Sequence, residues 1–179
     1  MLNEKTDKTL IVDVETTGLS PYDSRLTVIS TNYAGEIQSF YNIDEKRMLQ
    51  DFWQYVKDTK IVRLCAYNAS FDISFLNIRS LLHSVEMKTF DKWKGVIDAM
   101  NMGQHYGKSR SLKFQKMHDT CAFFGFEGVL TELKGSEMPE LFLKGDIETI
   151  RIHCEDDVRQ TYKIFKRALD CKLIQEVYF

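Results

Sequence analysis

The chain of 179 residues has little of what marks disordered, secreted or membrane-embedded proteins. Two prolines argue against a long disordered linker, and no apolar run approaches the length of a membrane span. The N-terminal residues lack the apolar stretch of a signal peptide. The 4 cysteines show no C-x-x-C pairing. We therefore expect reduced thiols in a cytoplasmic protein, without a disulfide or zinc framework and without membrane association.

The chain also lacks the basic excess of proteins that bind duplexes, since its formal net charge is −2. An enzyme that holds only a few nucleotides is compatible with this charge, because bound metal ions supply positive charge themselves. Hydrophobic residues at 44% and aromatic residues at 12% are sufficient for a buried core. The length fits one domain covering residues 1–179.

The most informative motif is a pair of acids at the end of a β-branched run, Thr9-Leu-Ile-Val-Asp13-Val-Glu15. Residues i and i+2 of a strand point to the same face, so Asp13 and Glu15 project side by side. Two carboxylates this close repel each other, whereas a divalent cation such as Mg²⁺ or Mn²⁺ prefers such oxygen ligands. A half-exposed strand with an acidic outer face is the alternative interpretation.

A third acid, Asp72, follows the next apolar segment. The run Ile61–Ala66 predicts a buried strand, and Asn68 and Ser70 offer N-cap side chains to a helix that follows it. Asp72 then lies in the first turn of that helix, near the carboxyl end of the strand. The helix dipole alone would also favour an acid there.

The fourth acid lies in the last helix, which apolar residues at helical spacing predict from about Asp146 to Leu169. At roughly 100° per residue, Asp157 falls on the apolar stripe, whereas Asp156 falls on the solvent side. A carboxylate on a buried face needs a partner. His153 lies one turn before Asp157 on the same flank and is the candidate for that partner.

Together these segments resemble the three motifs of the DEDD superfamily of 3′→5′ exonucleases. Asp13-Val-Glu15-Thr-Thr-Gly18-Leu19 resembles the first motif, Asn68-Ala-Ser-Phe71-Asp72 the second and His153-Cys-Glu-Asp-Asp157 the third. The stretch Gly135–Asp146 is similar to a bacterial and phage family described as related to the proofreading domain of family-B DNA polymerases. The resemblance covers residues 9–169, nearly the whole chain.

The third motif departs from both branches of this superfamily. The tyrosine branch has a tyrosine four residues before the final Asp, and the histidine branch has a histidine five residues before it. Here His153 occupies the tyrosine position relative to Asp157. A general-base role and a water-orienting role both stay open for this imidazole.

The resemblance implies a two-metal hydrolase that removes nucleotides from the free 3′ end of single-stranded DNA. Two Mg²⁺ or Mn²⁺ ions would be bridged by Asp13. Glu15 and Asp157 would complete the site of one ion, and Asp72 would serve the other. His153 would orient or deprotonate the attacking water.

The resemblance also implies contacts with the end of the strand. Leu19 matches the position that wedges between terminal bases, Asn68 matches one that contacts the terminal nucleotide, and Thr16 is the third candidate for substrate binding. Separately, four cations lie in and just after a glycine-containing loop and could meet phosphates: Lys108, Arg110, Lys113 and Lys116. A solvated loop is the alternative for each of them.

Two other functions stay open from the sequence. The domain could be a 3′→5′ exoribonuclease, which would need a group that recognises the 2′-hydroxyl. It could also be a nucleic-acid-binding or scaffolding module that has lost activity. A missing carboxylate would favour that second alternative, and none of the four is missing.

The order of elements predicts an α/β fold. Three strands in an antiparallel meander, with a turn at Ala34-Gly35, come first; helices and a further strand then alternate, which implies a mixed sheet covered by helices. This is the ribonuclease-H-like architecture that the resemblance implies. Asp98 is a fifth acid, for which we expect a structural role. The predicted strands cover 9–15, 26–33, 36–43 and 61–66, and the predicted helices 45–58, 70–83, 111–124, a short one from Pro139 and the last one.

Overall fold

The computed structural model describes residues 7–91, 95–104, 116–126 and 133–175. The strands in these ranges are β1 (Thr9–Thr16), β2 (Leu26–Tyr33), β3 (Glu36–Phe40), β4 (Arg63–Ala66) and β5 (Val96–Asp98). The α-helices are α1 (Glu45–Asp58), α2 (Ala69–His83), α3 (Met117–Phe123), α4 (Met138–Leu143) and α5 (Ile147–Asp170). Two 3₁₀ helices cover Ala99–Gln104 and Gly135–Glu137.

The strands form one mixed sheet in the order β3-β2-β1-β4-β5. The first three strands pair antiparallel, and β4 and β5 run parallel to β1. The predicted meander and the predicted mixed sheet are therefore confirmed. Pairing between β1 and β4 ends at Ile11 and Cys65, so the last residues of β1 extend beyond their parallel neighbour.

Helices cover both faces of this sheet. Side chains alternate along β1, so successive residues pack into different cores. Leu10, Val12 and Val14 pack into a core with α1 and α2, whereas Ile11 packs into a second core with α5. Asp13 and Glu15 share the face of Ile11 and therefore point toward α5. No helix in the described part of the chain combines the length and apolarity needed to cross a membrane.

Several predicted boundaries move by a few residues. β3 ends at Phe40 because its pairing with β2 ends there, and the following residues are exposed up to the start of α1. β4 begins at Arg63, opposite Thr9 of β1, although Ile61 is fully buried as predicted. The part of the predicted 111–124 helix before residue 116 lies outside the described residues.

A buried ion cluster connects the two helices that cover the first core. The Glu45 carboxylate at the start of α1 accepts hydrogen bonds from Arg79 Nη2 at 2.6 Å and from the Leu26 amide at 2.7 Å, and it contacts His83 Nε2 at 2.9 Å. Arg79 also donates to the Pro21 carbonyl. The cluster thus joins α1 and α2 to the loop between β1 and β2.

We predict that Glu45→Ala lowers the free energy of unfolding by about 3–5 kcal/mol, because it leaves a buried guanidinium without its partner. Burial alone would raise the pKa of Glu45, but the bonds from Arg79, Leu26 and His83 outweigh it and lower the pKa. The stabilisation is therefore present above the ordinary glutamate pKa and is lost as pH falls through the lowered one. Denaturant unfolding of both proteins from pH 7 to pH 3 should show the difference shrinking in acid.

Glu140→Ala is the matched control, since Glu140 forms an exposed i, i+4 pair with Lys144. It should leave the unfolding midpoint close to that of wild type. Equal effects of the two substitutions would contradict the structural role of the Glu45 cluster.

Candidate active site

The two acids of β1 meet residues of α5. Cys154 Sγ lies 3.3 Å from Asp13 Oδ2, and His153 Nε2 lies 3.5 Å from Glu15 Oε1. Consecutive residues of α5 thus contact alternate residues of β1. The strand projects both carboxylates to one side, as the i, i+2 spacing predicts.

Asp72 reaches the same place from α2. Its Oδ1 accepts a hydrogen bond of 3.1 Å from the amide of Val14, between Asp13 and Glu15. This amide needs an acceptor because β1 has lost its parallel partner after Ile11. The early end of β4 therefore creates the gap that the buried Asp72 carboxylate fills. Such a position, at the carboxyl end of parallel strands, is where open α/β sheets commonly bind ligands.

Asp157 completes the cluster from the end of the third turn of α5. Its Oδ2 lies 3.8 Å from His153 Nε2, as expected for residues four apart on a helix. One ligand atom each from Glu15, His153 and Asp157 lie within 4.8 Å of one another. Three distant segments of the sequence thus bring together the four predicted carboxylates and the predicted histidine.

The electrostatics of the cluster favour a bound cation. Burial raises the pKa of Asp13 to about 6 and, together with the charges of Asp13 and Asp156, the pKa of Asp157 to about 9. Burial, followed by the neighbouring carboxylates, raises the pKa values of Glu15 and Asp72 well above their ordinary range. Four crowded carboxylates beside an imidazole are a donor set that suits Mg²⁺ or Mn²⁺.

The loop after β1 presents Leu19 to solvent, with 89% of its surface exposed. Thr16 is buried, and its hydroxyl donates to the Gly18 carbonyl at 2.6 Å. The Thr17 amide and the Arg25 carbonyl, 3.0 Å apart, close the base of the loop. Thr16 therefore shapes the turn that carries Leu19, and in this arrangement its hydroxyl is already engaged.

Asn68 precedes α2 in the left-handed conformation, with φ of 64°, and its side chain makes no capping hydrogen bond. Asn68 therefore occupies the predicted N-cap position, but the predicted capping bond from its side chain is wrong. Ser70, the other candidate, lies inside α2 and donates to Asn68 Oδ1. Asp98 fixes this turn instead, because its carboxylate accepts hydrogen bonds from the amides of Asn68 and Met100. The exposed Asn68 side chain stays available to a ligand.

Of the four cations proposed to meet phosphates, Lys108, Arg110 and Lys113 lie outside the described residues. Lys116 is described and exposed at the residue before α3. It lines a cleft whose wall also includes His153 and Asp157. One of the four is therefore placed next to the carboxylate cluster.

Comparisons with known proteins agree with this arrangement. Residues 22–176 match the model of a family described as predicted 3′–5′ exonucleases related to the exonuclease domain of PolB. The chain belongs to this family. The matched range includes Asp72, His153 and Asp157 and begins after the two acids of β1.

Another protein sequence and a solved structure are similar to most of this chain. An uncharacterised protein of Methanocaldococcus jannaschii is 34% identical over 173 residues, which are 93% of this chain and 98% of that protein. The family B DNA polymerase of Pyrobaculum calidifontis has the same fold in one region, with a TM-score of 0.73 at 18% identity. That match covers 92% of this chain and 25% of the polymerase, so the chain spans about a quarter of the polymerase's length. The predicted α/β, ribonuclease-H-like fold is confirmed.

Two neighbours of the cluster were not predicted. Cys154 is fully buried, and its thiol lies 3.4 Å from the Asp13 carbonyl oxygen as well as close to the Asp13 carboxylate. Its apolar spacing in the sequence indicated only a core residue. The thiol is a weak donor, and it holds the Asp13 side chain against α5.

Asp156 was predicted to face solvent, and that prediction is wrong, because only 2% of its surface is exposed. Its Oδ2 accepts a hydrogen bond of 2.6 Å from Gln160 Nε2. A single apolar stripe underestimates the burial of α5, since a second side of this helix packs against α3 and the 3₁₀ helix Ala99–Gln104.

We predict that Asp13→Asn raises the melting temperature of the metal-free protein at pH 8, by about 5 °C. An acid whose folded pKa is raised stabilises the fold below its unfolded pKa and loses this contribution as pH rises through the folded value. For Asp13 and Asp157 that window runs from about pH 4 to pH 9. Thermal melts in chelator across this range measure the effect.

Asp170→Asn, at the exposed end of α5, is the control and should not alter the pH dependence. A wild-type melting temperature that stays constant from pH 5 to pH 9 would show that the carboxylates do not repel one another as described.

Proposed function

We propose that this protein is a metal-dependent exonuclease that removes nucleotides from the free 3′ end of single-stranded DNA. The observation that carries the proposal is the convergence of Asp13, Glu15, Asp72 and Asp157 at one end of the sheet. Their raised pKa values mean that ionising all four carboxyl groups is unfavourable without a cation. Membership in a family of predicted 3′–5′ exonucleases supports the reaction type.

We assign the four carboxylates to two divalent cations. Asp13, whose charge acts on Glu15, Asp72 and Asp157, would hold both ions. Glu15 and Asp157, which both lie close to His153 Nε2, would hold one of them, and Asp72 would hold the other. When bound, such a pair of ions supplies Lewis-acid chemistry at the phosphate and compensates charge on the attacking and leaving oxygens.

His153 is placed to manage the proton of the attacking water. Burial lowers the pKa of its imidazole, although the charges of Asp156 and Glu137 oppose this. The ring is therefore neutral at neutral pH and can accept a proton. Its Nε2 faces Glu15 and Asp157, so an accepted proton would be stabilised by these carboxylates.

The preference for a strand end comes from the loop after β1. Leu19 is exposed at the tip of this loop, where an apolar side chain gains by contact with an unpaired base. Asn68, at the start of α2, would contact the terminal nucleotide from the other side of the cluster. A base-paired end would have to lose its pairing before its terminal bases could separate around Leu19, whereas an unpaired end would not. The proposed substrate is therefore single-stranded.

We predict that digestion of a 5′-labelled single-stranded oligonucleotide gives a ladder that shortens progressively, only when Mg²⁺ or Mn²⁺ is present. Asp13→Asn and Asp157→Asn should remove the activity while the protein remains folded, because each removes a metal ligand. A strand with a 3′ phosphate should be cut poorly. An RNA strand of the same sequence, digested in parallel, measures the choice between DNA and RNA.

Asp170→Asn serves again as the matched acidic control and should retain full activity. Undiminished cleavage in excess chelator would rule out the metal mechanism. Cleavage of a closed circular single strand would instead identify an endonuclease.

A separate prediction concerns His153. If its imidazole is the general base, His153→Ala should lower kcat by about 10²–10⁴-fold, and the activity should fall in acid as the ring protonates. If the side chain only orients water, His153→Tyr should keep much of the activity and lose the acid limb. The pH–rate profiles of the three proteins at saturating metal distinguish these roles. Identical rates and profiles for all three would show that His153 is structural.

A further inference from the structure

A cleft of about 890 Å³ opens beside the carboxylate cluster. Its lining comes from α5, from the start of α3 and from the residues around the 3₁₀ helix Gly135–Glu137. The volume lies within the range of pockets that hold small organic ligands, so the cleft is large enough for a nucleotide. Because His153 and Asp157 belong to its wall, a ligand in the cleft is continuous with the candidate active site.

The α5 wall extends beyond the cluster. His153, Asp157 and Gln160 follow one another at spacings of four and three residues, so they lie along one side of the helix over about 10 Å. Gln160 is held in place by its bond to the buried Asp156. The cleft therefore leads away from the site of cleavage and does not end there.

Two lysines line the cleft. Lys116 precedes α3 and Lys134 precedes the 3₁₀ helix, and both side chains are exposed. Neither ammonium group forms an ion pair with any residue that the structure describes. Two acids lie near these lysines in sequence: Asp119 contacts His118 at 3.4 Å, and the Glu137 carboxylate accepts a hydrogen bond of 2.7 Å from the Lys134 amide.

This charge pattern favours a phosphate-bearing ligand. The carboxylates at the inner end repel phosphates unless cations are bound, whereas the lysines attract them in either case. The lining also includes the acids Asp119 and Asp157, so the two lysines offer individual contacts to phosphates and do not form a net positive patch. Lysine contacts to phosphate carry no sequence information, as suits an enzyme that moves along any strand.

We propose that Lys116 and Lys134 bind the phosphodiester backbone of the nucleotides that precede the scissile bond. The inference rests on the proposed exonuclease function and adds the path of the substrate to it. The strand enters along the cleft, and its 3′ terminal nucleotide reaches the cluster between Leu19 and Asn68.

Binding of a fluorescent single-stranded oligonucleotide tests this path without cleavage. The measurement uses Asp13→Asn protein, which does not cleave the strand, and compares it with the same protein carrying Lys116→Gln and Lys134→Gln. We expect the dissociation constant to rise about tenfold. We also expect the slope of log affinity against log salt to become shallower by about 1.4, the value for two phosphate contacts on a single strand.

The matched control carries Lys144→Gln and Lys166→Gln, which remove two exposed lysines outside the cleft. It removes the same net charge, and we expect it to change the salt slope by much less. Equal effects of the two double variants on affinity and on salt slope would overturn the proposal, because the lysines would then act only through net charge.

Steady-state kinetics distinguish the strand from the released nucleotide as the ligand of the cleft. If the strand binds there, the lysine double variant raises KM for long oligonucleotides more than for a dinucleotide. If instead KM is unchanged and only inhibition by free nucleoside monophosphate weakens, the cleft holds the product and the proposed path is wrong.

The two proposals fail independently. Lysine-dependent binding without any cleavage would support the cleft and contradict the exonuclease. Cleavage with no effect of the lysine double variant on affinity or KM would support the exonuclease and contradict the cleft.

Discussion

The constraint on which the site depends is the crowding of like charge at the end of β1. Burial raises the cost of ionising Asp13, Glu15, Asp72 and Asp157, and the charge of Asp13 adds to this cost for the other three. A fold that keeps such a cluster without a partner gives up stability. On the proposed function, a divalent cation would remove this cost by taking the same oxygens as ligands, and metal binding would then be coupled to the integrity of the site.

The rest of the fold holds this cluster in place. Because β4 is short, β1 offers the Val14 amide to Asp72 and draws α2 against the site. The long helix α5 crosses the face of β1 and contributes contacts from three positions in two turns. On the other face, the Glu45 cluster fixes the loop that carries Leu19. The site thus combines the carboxyl-terminal half of β1 and the first turn of α2 with an interior segment of α5.

Much of this arrangement could be predicted from sequence, because the strongest signals were periodic. Alternation placed Asp13 beside Glu15, and helical spacing placed His153 beside Asp157. What could not be predicted depends on tertiary packing. Asp156 is buried because α5 packs on two sides, and Cys154 contacts Asp13 although its spacing marks only a core residue. Lys134 could not be predicted as a contact for substrate, because only folding brings it to the same cleft as the residues of α5.

Calorimetric titration of the metal-free protein with Mn²⁺, in buffers of different ionisation enthalpy near pH 7, tests the central claim most directly. The raised pKa values mean that the cluster holds protons that a cation must displace. The account therefore predicts binding of two ions with net proton release, and loss of both features in Asp13→Asn protein. Absence of Mn²⁺ binding at millimolar concentrations, or binding that Asp13→Asn leaves unchanged, would contradict it.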